Sequence, residues 1–198
     1  MLEFKDARIA LGGGRLSTPI SAVINQGEMV CVSGPVASGK SGLLRAVMGL
    51  APVQSGRITI DGELVAPGAS GYLRGTMSYV PQQLPDVTMK VSELCQYVFR
   101  LQANQSKNLR VEAMIPYLQE LSMSGTVLRR DVNEMDSRQL QLVMISMLPL
   151  LRRPIILVDN APQMQCVHDF FCHLTANGSE LLYTCEENQM DCDKLLKL

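Results

Sequence analysis

The chain of 198 residues suits one domain, and its 46% hydrophobic content is ample for a packed core. With 18 basic and 19 acidic side chains the net charge is −1, so the balance does not favour nucleic acid or an anionic membrane surface as a partner. The apolar stretches fall short of the roughly 18 residues that cross a bilayer, so we expect no direct membrane insertion. Six cysteines without a CxxC pair, and no signal-peptide pattern, predict reduced thiols and a cytoplasmic location.

The first third of the chain predicts a small β layer and then a strand, a loop and a helix. Residues 2–11 and 20–24 predict strands, and the glycines at 12–14 indicate a turn between them. Residues 29–33 predict a short buried strand, and residues 42–50 carry apolar side chains at helical spacing. This order of strand, loop and helix is the context that a phosphate-binding loop requires.

The loop between this strand and this helix, Gly34–Ser41, matches the phosphate-loop pattern GxxxxGK[ST]. Such a turn directs several backbone N–H groups and the positive end of the helix dipole at one point, which suits a polyphosphate. The glycines permit close backbone approach, Lys40 can reach the β and γ phosphates, and the Ser41 hydroxyl can ligate Mg²⁺. The predicted nucleotide-binding residues are Gly34, Pro35, Val36, Ala37, Ser38, Gly39, Lys40, Ser41 and Gly42.

The middle of the chain predicts two further strands and then a change of character. Residues 57–62 predict an alternating strand that closes on an Asp-Gly turn, and residues 77–80 predict a short strand that stops at Pro81. From residue 91 to about residue 123 the apolar residues recur at helical intervals with polar residues between them. We therefore expect a helical subdomain in this segment.

The last third returns to strands and ends one of them on an acidic residue. Residues 155–158 form a continuous apolar run typical of a central parallel strand, followed by a predicted helix at 163–176 and a strand at 180–184. Asp159 comes directly after the first run, where open α/β sheets place their ligand chemistry, and we predict that it is a Mg²⁺ partner. The alternative is an aspartate that caps the following turn. The next residue is Asn160, whose amide can hold a water molecule but cannot take its proton.

The order of these motifs resembles the nucleotide-binding domain of ATP-binding cassette (ABC) proteins, and the resemblance covers essentially the whole chain. Further segments similar to that family are 27–30 before the phosphate loop, 49–58 after its helix, 78–82 at the family's glutamine loop and 153–159 at its second nucleotide motif. The resemblance implies an α/β fold of the P-loop NTPase class. It has a RecA-like parallel sheet core, an N-terminal antiparallel β layer and an inserted α-helical subdomain.

The resemblance also implies a domain organisation. We expect one ABC-type ATP-binding domain over residues 1–198, with the α/β core at 1–85 and 148–198 and the helical subdomain at 86–147. Residues 193–198 resemble the family's final core strand, and the segments that often follow it there are lacking. We therefore expect a minimal, C-terminally short member of the family.

The same resemblance implies the cofactors ATP and Mg²⁺ and a set of site residues. Gln82 corresponds to the glutamine that contacts Mg²⁺ or the attacking water, so the implied metal ligands are Ser41, Gln82 and Asp159. The catalytic glutamate of the family corresponds to Asn160, and its switch histidine corresponds to Cys185. Gln82, Asn160 and Cys185 are therefore the catalytic positions, and we expect weak or absent hydrolysis because a lost general base typically costs about 10²- to 10⁴-fold in rate.

Two further positions depart from the family. Its signature, usually Leu-Ser-Gly-Gly-Gln, corresponds here to residues 135–139, where only the last residue is retained. Asp136 can cap the following helix together with Gln139, as a capping box that needs no nucleotide, and we favour this interpretation. The alternative is that Arg138 acts as an arginine finger on a γ phosphate. Leu11 stands where family members carry an aromatic that stacks on adenine, so we expect weaker or less selective adenine binding.

These features predict an ATP-binding subunit of an ABC-type transporter or a related assembly that binds Mg-ATP with weak or absent hydrolysis. The resemblance implies a transmembrane transporter subunit or a second ABC ATPase subunit as partner, in a homodimer or heterodimer, and a position at the inner face of the membrane through that partner. Three alternatives stay open: a slow but active transport ATPase, a nucleotide-binding regulatory or scaffold protein, and a soluble phosphate-loop kinase. The kinase would need a basic lid, for which the middle segment offers scattered cations such as Arg100, Lys107 and Arg110.

Overall fold

The structure, a computed structural model, describes residues 1–68, 71–84 and 86–198. Its described residues fall into two compact units, of which the first comprises residues 1–79 and 153–198 and the second comprises residues 80–152. The strands are β1 (Leu2–Arg8), β2 (Ala10–Gly12), β3 (Arg15–Leu16), β4 (Ile20–Ile24), β5 (Met29–Ser33), β6 (Ser55–Ile60), β7 (Glu63–Leu64), β8 (Met77–Val80), β9 (Ile155–Val158), β10 (Glu180–Cys185) and β11 (Lys194–Lys197). The α-helices are α1 (Lys40–Val47), α2 (Val91–Arg100), α3 (Ile115–Glu120), α4 (Ser137–Ser146), α5 (Leu148–Leu151) and α6 (Gln165–Ala176).

The central sheet has five strands in the order β11-β5-β10-β9-β8. The pairs β11 with β5, β5 with β10, and β10 with β9 are parallel. Strands β5, β9 and β10 are buried along their whole length, as expected for parallel strands whose two faces are both covered. The loops that follow Ser33, Val158 and Cys185 therefore leave the sheet at the same edge.

The N-terminal layer is a four-stranded antiparallel sheet in the order β4-β1-β6-β7. Its register shifts inside β1, between Phe4 and Ala7 against β4, and Asp6 in this bulge has a φ of 48°. The strand predicted at 2–11 ends at Arg8, and the chain continues into a separate hairpin of β2 and β3. The physical reason is local, because all three glycines at 12–14 take positive φ and turn the chain back on itself.

The core of the first unit joins this antiparallel layer to the central sheet through α1. Val30 and Val32 of β5 belong to the same buried apolar cluster as Leu43 and Leu44 of α1, and residues of β1 and β6 are also part of it. The alternate residues of β5 thus fix one face of the strand against the helix that follows the phosphate loop. This packing holds the strand and the helix that flank the loop, and it leaves the loop itself at the sheet edge.

The second unit is mainly helical and has its own apolar core, as the periodicity of its sequence predicts. Residues Val91, Cys95 and Phe99 of α2 recur at helical spacing and pack with Leu118 of α3 and Val143 of α4. Much of the remaining chain in this unit is in short 3₁₀ turns rather than in the longer helices that the pattern alone favours. Within the described part of the chain, neither unit contains a helix long and apolar enough to cross a membrane.

Candidate nucleotide-binding site

The helix α1 begins at the phosphate loop with its N-terminus open. Its N-cap is Gly39, with a φ of 100°, and among the described residues no side chain accepts a hydrogen bond from its first turn. Ala37 also has a positive φ, of 62°, so the loop is tightly wound before the helix starts. Unpaired N–H groups at a helix start carry partial positive charge, and an anion satisfies them well. The loop therefore has the backbone arrangement that binds phosphate.

Lys40 is buried at the start of α1, with its amino group folded back over the loop. Its Nζ donates hydrogen bonds to the carbonyl oxygens of Gly34, at 2.7 Å, and Pro35, at 2.8 Å. These contacts pair two of the three ammonium donors with carbonyl oxygens of the loop. The loop therefore positions Lys40, the side chain predicted to bind phosphate.

Ser38 carries a second sign that the loop is built for a polar ligand. Its Oγ is buried and has no hydrogen-bond partner within the described part of the chain. A buried hydroxyl without a partner typically costs about 1–3 kcal/mol, so such groups occur where a ligand or water completes the site. A phosphate oxygen could accept the hydrogen bond that this hydroxyl is free to donate.

Asp159 is the centre of a hydrogen-bond cluster at the end of β9. It is only 4% exposed, and its Oδ1 accepts from Ser41 Oγ at 3.0 Å and from Thr184 Oγ1 at 2.9 Å. Its Oδ2 accepts from the Tyr79 hydroxyl at 3.2 Å. The structure thus brings together two of the three predicted metal ligands, Ser41 and Asp159. A hydroxyl and a carboxylate are hard oxygen ligands of the type that Mg²⁺ prefers, so these residues fit the predicted ion.

This arrangement changes the pKa of the Tyr79 hydroxyl. Burial, and then the negative charge of Asp159 together with the hydrogen bond to it, raise the pKa of Tyr79 to about 12. The phenol therefore stays protonated as a donor throughout the physiological range. Tyr79 and Thr184 are site residues that sequence reasoning missed, and the only available signal was that each lies at or beside the end of a predicted strand.

Asn160 lies just after β9, and Cys185 is the last residue of β10. The backbone of each residue makes a hydrogen bond at the edge of the sheet. Asn160 has a φ of 51°, and its N–H donates to Thr184 Oγ1 at 2.7 Å. The carbonyl oxygen of Cys185 accepts from the N–H of Gly34 at 3.3 Å, and its Sγ lies 3.3 Å from the Sγ of Cys31. Cys185 is thus anchored directly to the first residue of the phosphate loop. The catalytic roles of both positions stay predictions.

Leu11 lies against the start of α1, as does its neighbour Ile9. A Cβ placed on Gly39 would stand 2.5 Å from Leu11 Cδ2 and 2.8 Å from Ile9 Cδ1. These side chains therefore pack directly on the glycine that begins the helix, and a residue with a side chain would displace them. A small apolar surface beside the phosphate loop stands where the resemblance implied an aromatic ring.

The remaining predicted positions lie in the second unit. Gln82 is exposed, and its predicted contact with Mg²⁺ stays a prediction. Asp136 is the N-cap of α4: its Oδ1 accepts from the N–H of Gln139 at 2.8 Å, and Gln139 Oε1 accepts from the N–H of Asp136 at 3.4 Å. The capping box expected from the sequence is therefore confirmed. Arg138 is exposed on the first turn of that helix.

Comparison with known proteins adds independent information. The family model described as ABC transporter matches residues 17–163. The chain is 44% identical over 62 residues to the Fe(3+) ions import ATP-binding protein FbpC of Streptomyces coelicolor, which is 31% of this chain and 18% of that protein. It is 26% identical over 163 residues to the zinc import ATP-binding protein ZnuC of a Ruegeria species, which is 82% of this chain and 59% of that protein. The matches thus span less than two thirds of the length of either curated relative.

Solved structures share the fold. An ABC transporter ATP-binding protein from Pyrococcus furiosus superposes with a TM-score of 0.82 at 16% identity, over 100% of this chain and 96% of that one. An ATP-binding subunit of an ABC transporter superposes with a TM-score of 0.74 at 22% identity, over 94% of this chain and 79% of that one. The fold class predicted from the sequence, a P-loop NTPase core with an antiparallel β layer and a helical insertion, is confirmed. Because the family model covers most of a chain whose loop, strand ends and fold all fit it, the chain belongs to the ABC transporter family of ATP-binding proteins.

Proposed function

We propose that this chain is an ATP-binding subunit of an ABC-type transporter or a related assembly, which binds Mg-ATP and hydrolyses it weakly or not at all. The observation that carries the proposal is the contrast between a complete phosphate-binding loop and an incomplete hydrolytic set. The open start of α1, the folded-back Lys40 and the unpartnered Ser38 hydroxyl all support binding of a polyphosphate. Asn160 in place of a carboxylate supports slow turnover, because an amide cannot accept the proton of water.

Mg²⁺ supplies charge neutralisation between the β and γ phosphates when it is bound in sites of this class. In this chain, the Ser41 hydroxyl and the Asp159 carboxylate would hold it, and we propose Gln82 as the third ligand. Thr184 and Tyr79 position the carboxylate through the hydrogen bonds that they donate to it. The chain's own contribution is therefore to hold and orient the ion rather than to activate water.

We also propose that the chain works with a partner, either a transmembrane transporter subunit or a second ABC ATPase subunit, in a homodimer or a heterodimer. Import systems for iron and zinc are named among its relatives, which supports a transporter assembly without identifying the cargo. Its place in the cell would then be the cytoplasmic face of a membrane, reached through that partner.

The test measures Mg-ATP binding and phosphate release on the same purified sample, with Lys40→Ala as the control. We expect wild-type protein to bind Mg-ATP and the variant to bind about 10- to 100-fold more weakly, because charge-assisted hydrogen bonds are each worth about 1.5–3 kcal/mol. Phosphate release by the wild type should stay close to that of the variant. Absence of binding in the wild type would refute the proposal.

The substitution Asn160→Glu separates the proposal from its main rival, a slow transport ATPase that lacks only an efficient base. Restoring a general base to an otherwise complete site should raise turnover by about 10²- to 10⁴-fold. We expect a gain of less than about tenfold, because the start of α4 is also altered and Cys185 stands at the switch position. Asn160→Gln, which lengthens the side chain without adding a base, is the matched control. A gain in the larger range for glutamate alone would favour the ATPase.

A further inference from the structure

Two thiols meet directly beneath the phosphate loop, although 154 positions separate them in the sequence. Cys31 lies in β5 and Cys185 ends β10, and their Sγ atoms are 3.3 Å apart. Both are enclosed, with exposures of 0% and 1%. A third thiol, Cys192, lies nearby and is only partly enclosed; Asn188, which accepts from the Tyr183 hydroxyl, donates to its sulfur at 3.7 Å. The described cysteines are all free thiols.

The strand register shows how this pair is placed. In the parallel pairing of β5 with β10, Cys185 lies opposite Ser33 and Cys31 lies opposite Tyr183. The two cysteines are therefore diagonal neighbours on one face of the sheet, and ideal strand geometry places diagonal Cα atoms about 8 Å apart. A disulfide normally requires Cα atoms closer than about 7 Å. The sulfurs are 3.3 Å apart and an S–S bond is about 2.05 Å long, so bond formation requires Cys31 and Cys185, and the parts of β5 and β10 that carry them, to move closer together.

The parts of β5 and β10 that must move adjoin the candidate nucleotide site. The N–H of Gly34, the first residue of the phosphate loop, donates to the carbonyl oxygen of Cys185 at 3.3 Å. The neighbour of Cys185, Thr184, donates to Asp159 at 2.9 Å and accepts from the N–H of Asn160 at 2.7 Å. Drawing Cys31 and Cys185 together therefore shifts the anchor of the loop and the anchor of the metal-binding carboxylate at the same time.

The local chemistry favours Cys185 as the reacting sulfur. A hydrogen bond from the Cys31 thiol, and then the positive charge of Lys40, lower the pKa of Cys185. The same contact, together with burial, raises the pKa of Cys31, and burial raises the pKa of Cys192. The thiolate is the nucleophile in thiol chemistry. The contact thus places a sulfur whose pKa is lowered against a second thiol.

We propose that Cys31 and Cys185 form a reversible disulfide when a peroxide reaches them, and that this bond weakens nucleotide binding by displacing the phosphate loop and the anchor of Asp159. The first part, formation of the disulfide, does not depend on whether the chain binds nucleotide. The second part rests on the proposed function, since it requires that the chain binds Mg-ATP.

The chemistry balances with hydrogen peroxide as oxidant. The Cys185 sulfur attacks one peroxide oxygen, the O–O bond breaks, and the departing hydroxide takes a proton to become water, which leaves a sulfenic acid. The Cys31 sulfur then attacks the sulfenic sulfur, the S–O bond breaks, and the second hydroxide leaves as water with the Cys31 proton. Two thiols lose two electrons in total, and one peroxide is reduced to two waters. Because both thiols are enclosed, the proposal requires the small oxidant to reach Cys185 through local opening at the carboxyl end of β10.

The bond is tested by treating the wild-type protein with hydrogen peroxide, blocking free thiols and mapping the peptides without reduction. Cleavage after basic residues and after glutamate separates Cys31 on residues 29–40, Cys185 on residues 181–186 and Cys192 on residues 188–194. We expect the first two peptides to be linked, and the link to disappear after dithiothreitol. Linkage of either peptide to that of Cys192, or irreversible oxidation of Cys185 without linkage, would overturn the assignment.

The effect on nucleotide is measured as the Mg-ATP dissociation constant of reduced and peroxide-treated protein. We expect about a tenfold weakening on oxidation, which lies within the range usual for coupled sites, and full recovery with dithiothreitol. Cys31→Ala should remove the response to peroxide, whereas Cys172→Ser, which changes an exposed thiol on α6, should retain it. An unchanged dissociation constant in fully linked protein would refute the coupling. If neither form binds Mg-ATP, the proposed function fails while the peptide map still decides the disulfide.

Discussion

The starts of α1 and α4 are the same kind of structure with opposite chemistry. At α1 the N-cap is Gly39, no described side chain closes the first turn, and a lysine is the first helical residue. At α4 the N-cap is Asp136, whose carboxylate accepts from the first turn, and Gln139 returns a hydrogen bond. Helix α1 presents free N–H groups and positive charge at its start. At the start of α4, the carboxylate of Asp136 already accepts from the N–H of Gln139.

A helix N-terminus binds an anion only when its own cap leaves room for one. A carboxylate at the N-cap already satisfies the helix dipole and repels a phosphate. The resemblance implies that the segment at the start of α4 faces the phosphate held by a second subunit, which stays a prediction here. The helix end in the phosphate loop is therefore open, and the helix end at the start of α4 is closed by Asp136. This contrast is the structural basis of the proposed imbalance between binding and hydrolysis.

The substitution Asp159→Asn tests the site at the start of α1 and should have the largest effect of the variants considered. The substitution keeps the size of the side chain but replaces the negative carboxylate, whose oxygens accept from Ser41, Thr184 and Tyr79, with a neutral amide. We expect the Mg²⁺-dependent part of the ATP affinity to fall by about 10- to 100-fold, since a contact with a charged group is worth about 1.5–3 kcal/mol. Titrations with Mg²⁺ and with EDTA isolate that part. Asp169→Asn, on the exposed face of α6, is the control for charge, and equal losses in both variants would contradict the prediction.

Variants of Asp136 test the start of α4, where this residue caps the helix. Asp136→Ala removes the cap of α4 and should lower the free energy of unfolding by about 1 kcal/mol, as measured by chemical denaturation. Asp136→Ser keeps an oxygen cap without the charge, so its stability should lie within a few tenths of a kcal/mol of the wild type. We expect Mg-ATP affinity to stay unchanged in both. A large gain of turnover in both variants would instead show that the negative charge is what suppresses hydrolysis.

Tyr79→Phe gives the smallest expected effect and depends on pH. The lost hydrogen bond to Asp159 should lower the free energy of unfolding by about 0.5–1 kcal/mol at neutral pH. The folded pKa of about 12 lies above the ordinary value of 10.0, so the contribution of the neutral phenol is complete below pH 10 and is lost as the pH rises towards 12. The stability gap between wild type and variant should therefore narrow over this window. A gap that stays constant from pH 8 to pH 12 would show that Tyr79 acts by packing alone.

Local patterns in the sequence were sufficient for several elements. The strands at Ile20–Ile24, Met29–Ser33, Met77–Val80 and Ile155–Val158 have the predicted bounds, because each is a short apolar run closed by turn residues. The capping box at Asp136 followed from a spacing of three residues. Helix α1 starts at Lys40, two residues before the predicted start, because Gly39 can take the positive φ that begins the helix inside the loop.

Local sequence patterns were therefore enough to predict the phosphate loop, its flanking strand and helix, and the residues Lys40, Ser41 and Asp159, since these depend on neighbours within a few positions. Tertiary structure decided which groups meet at the sheet edge. Strand order and register place Thr184 against Asp159 and Cys185 against Cys31, across 25 and 154 positions of sequence. Register is a property of strand pairing that no local pattern encodes, because it is set by which side chains the whole core can bury together.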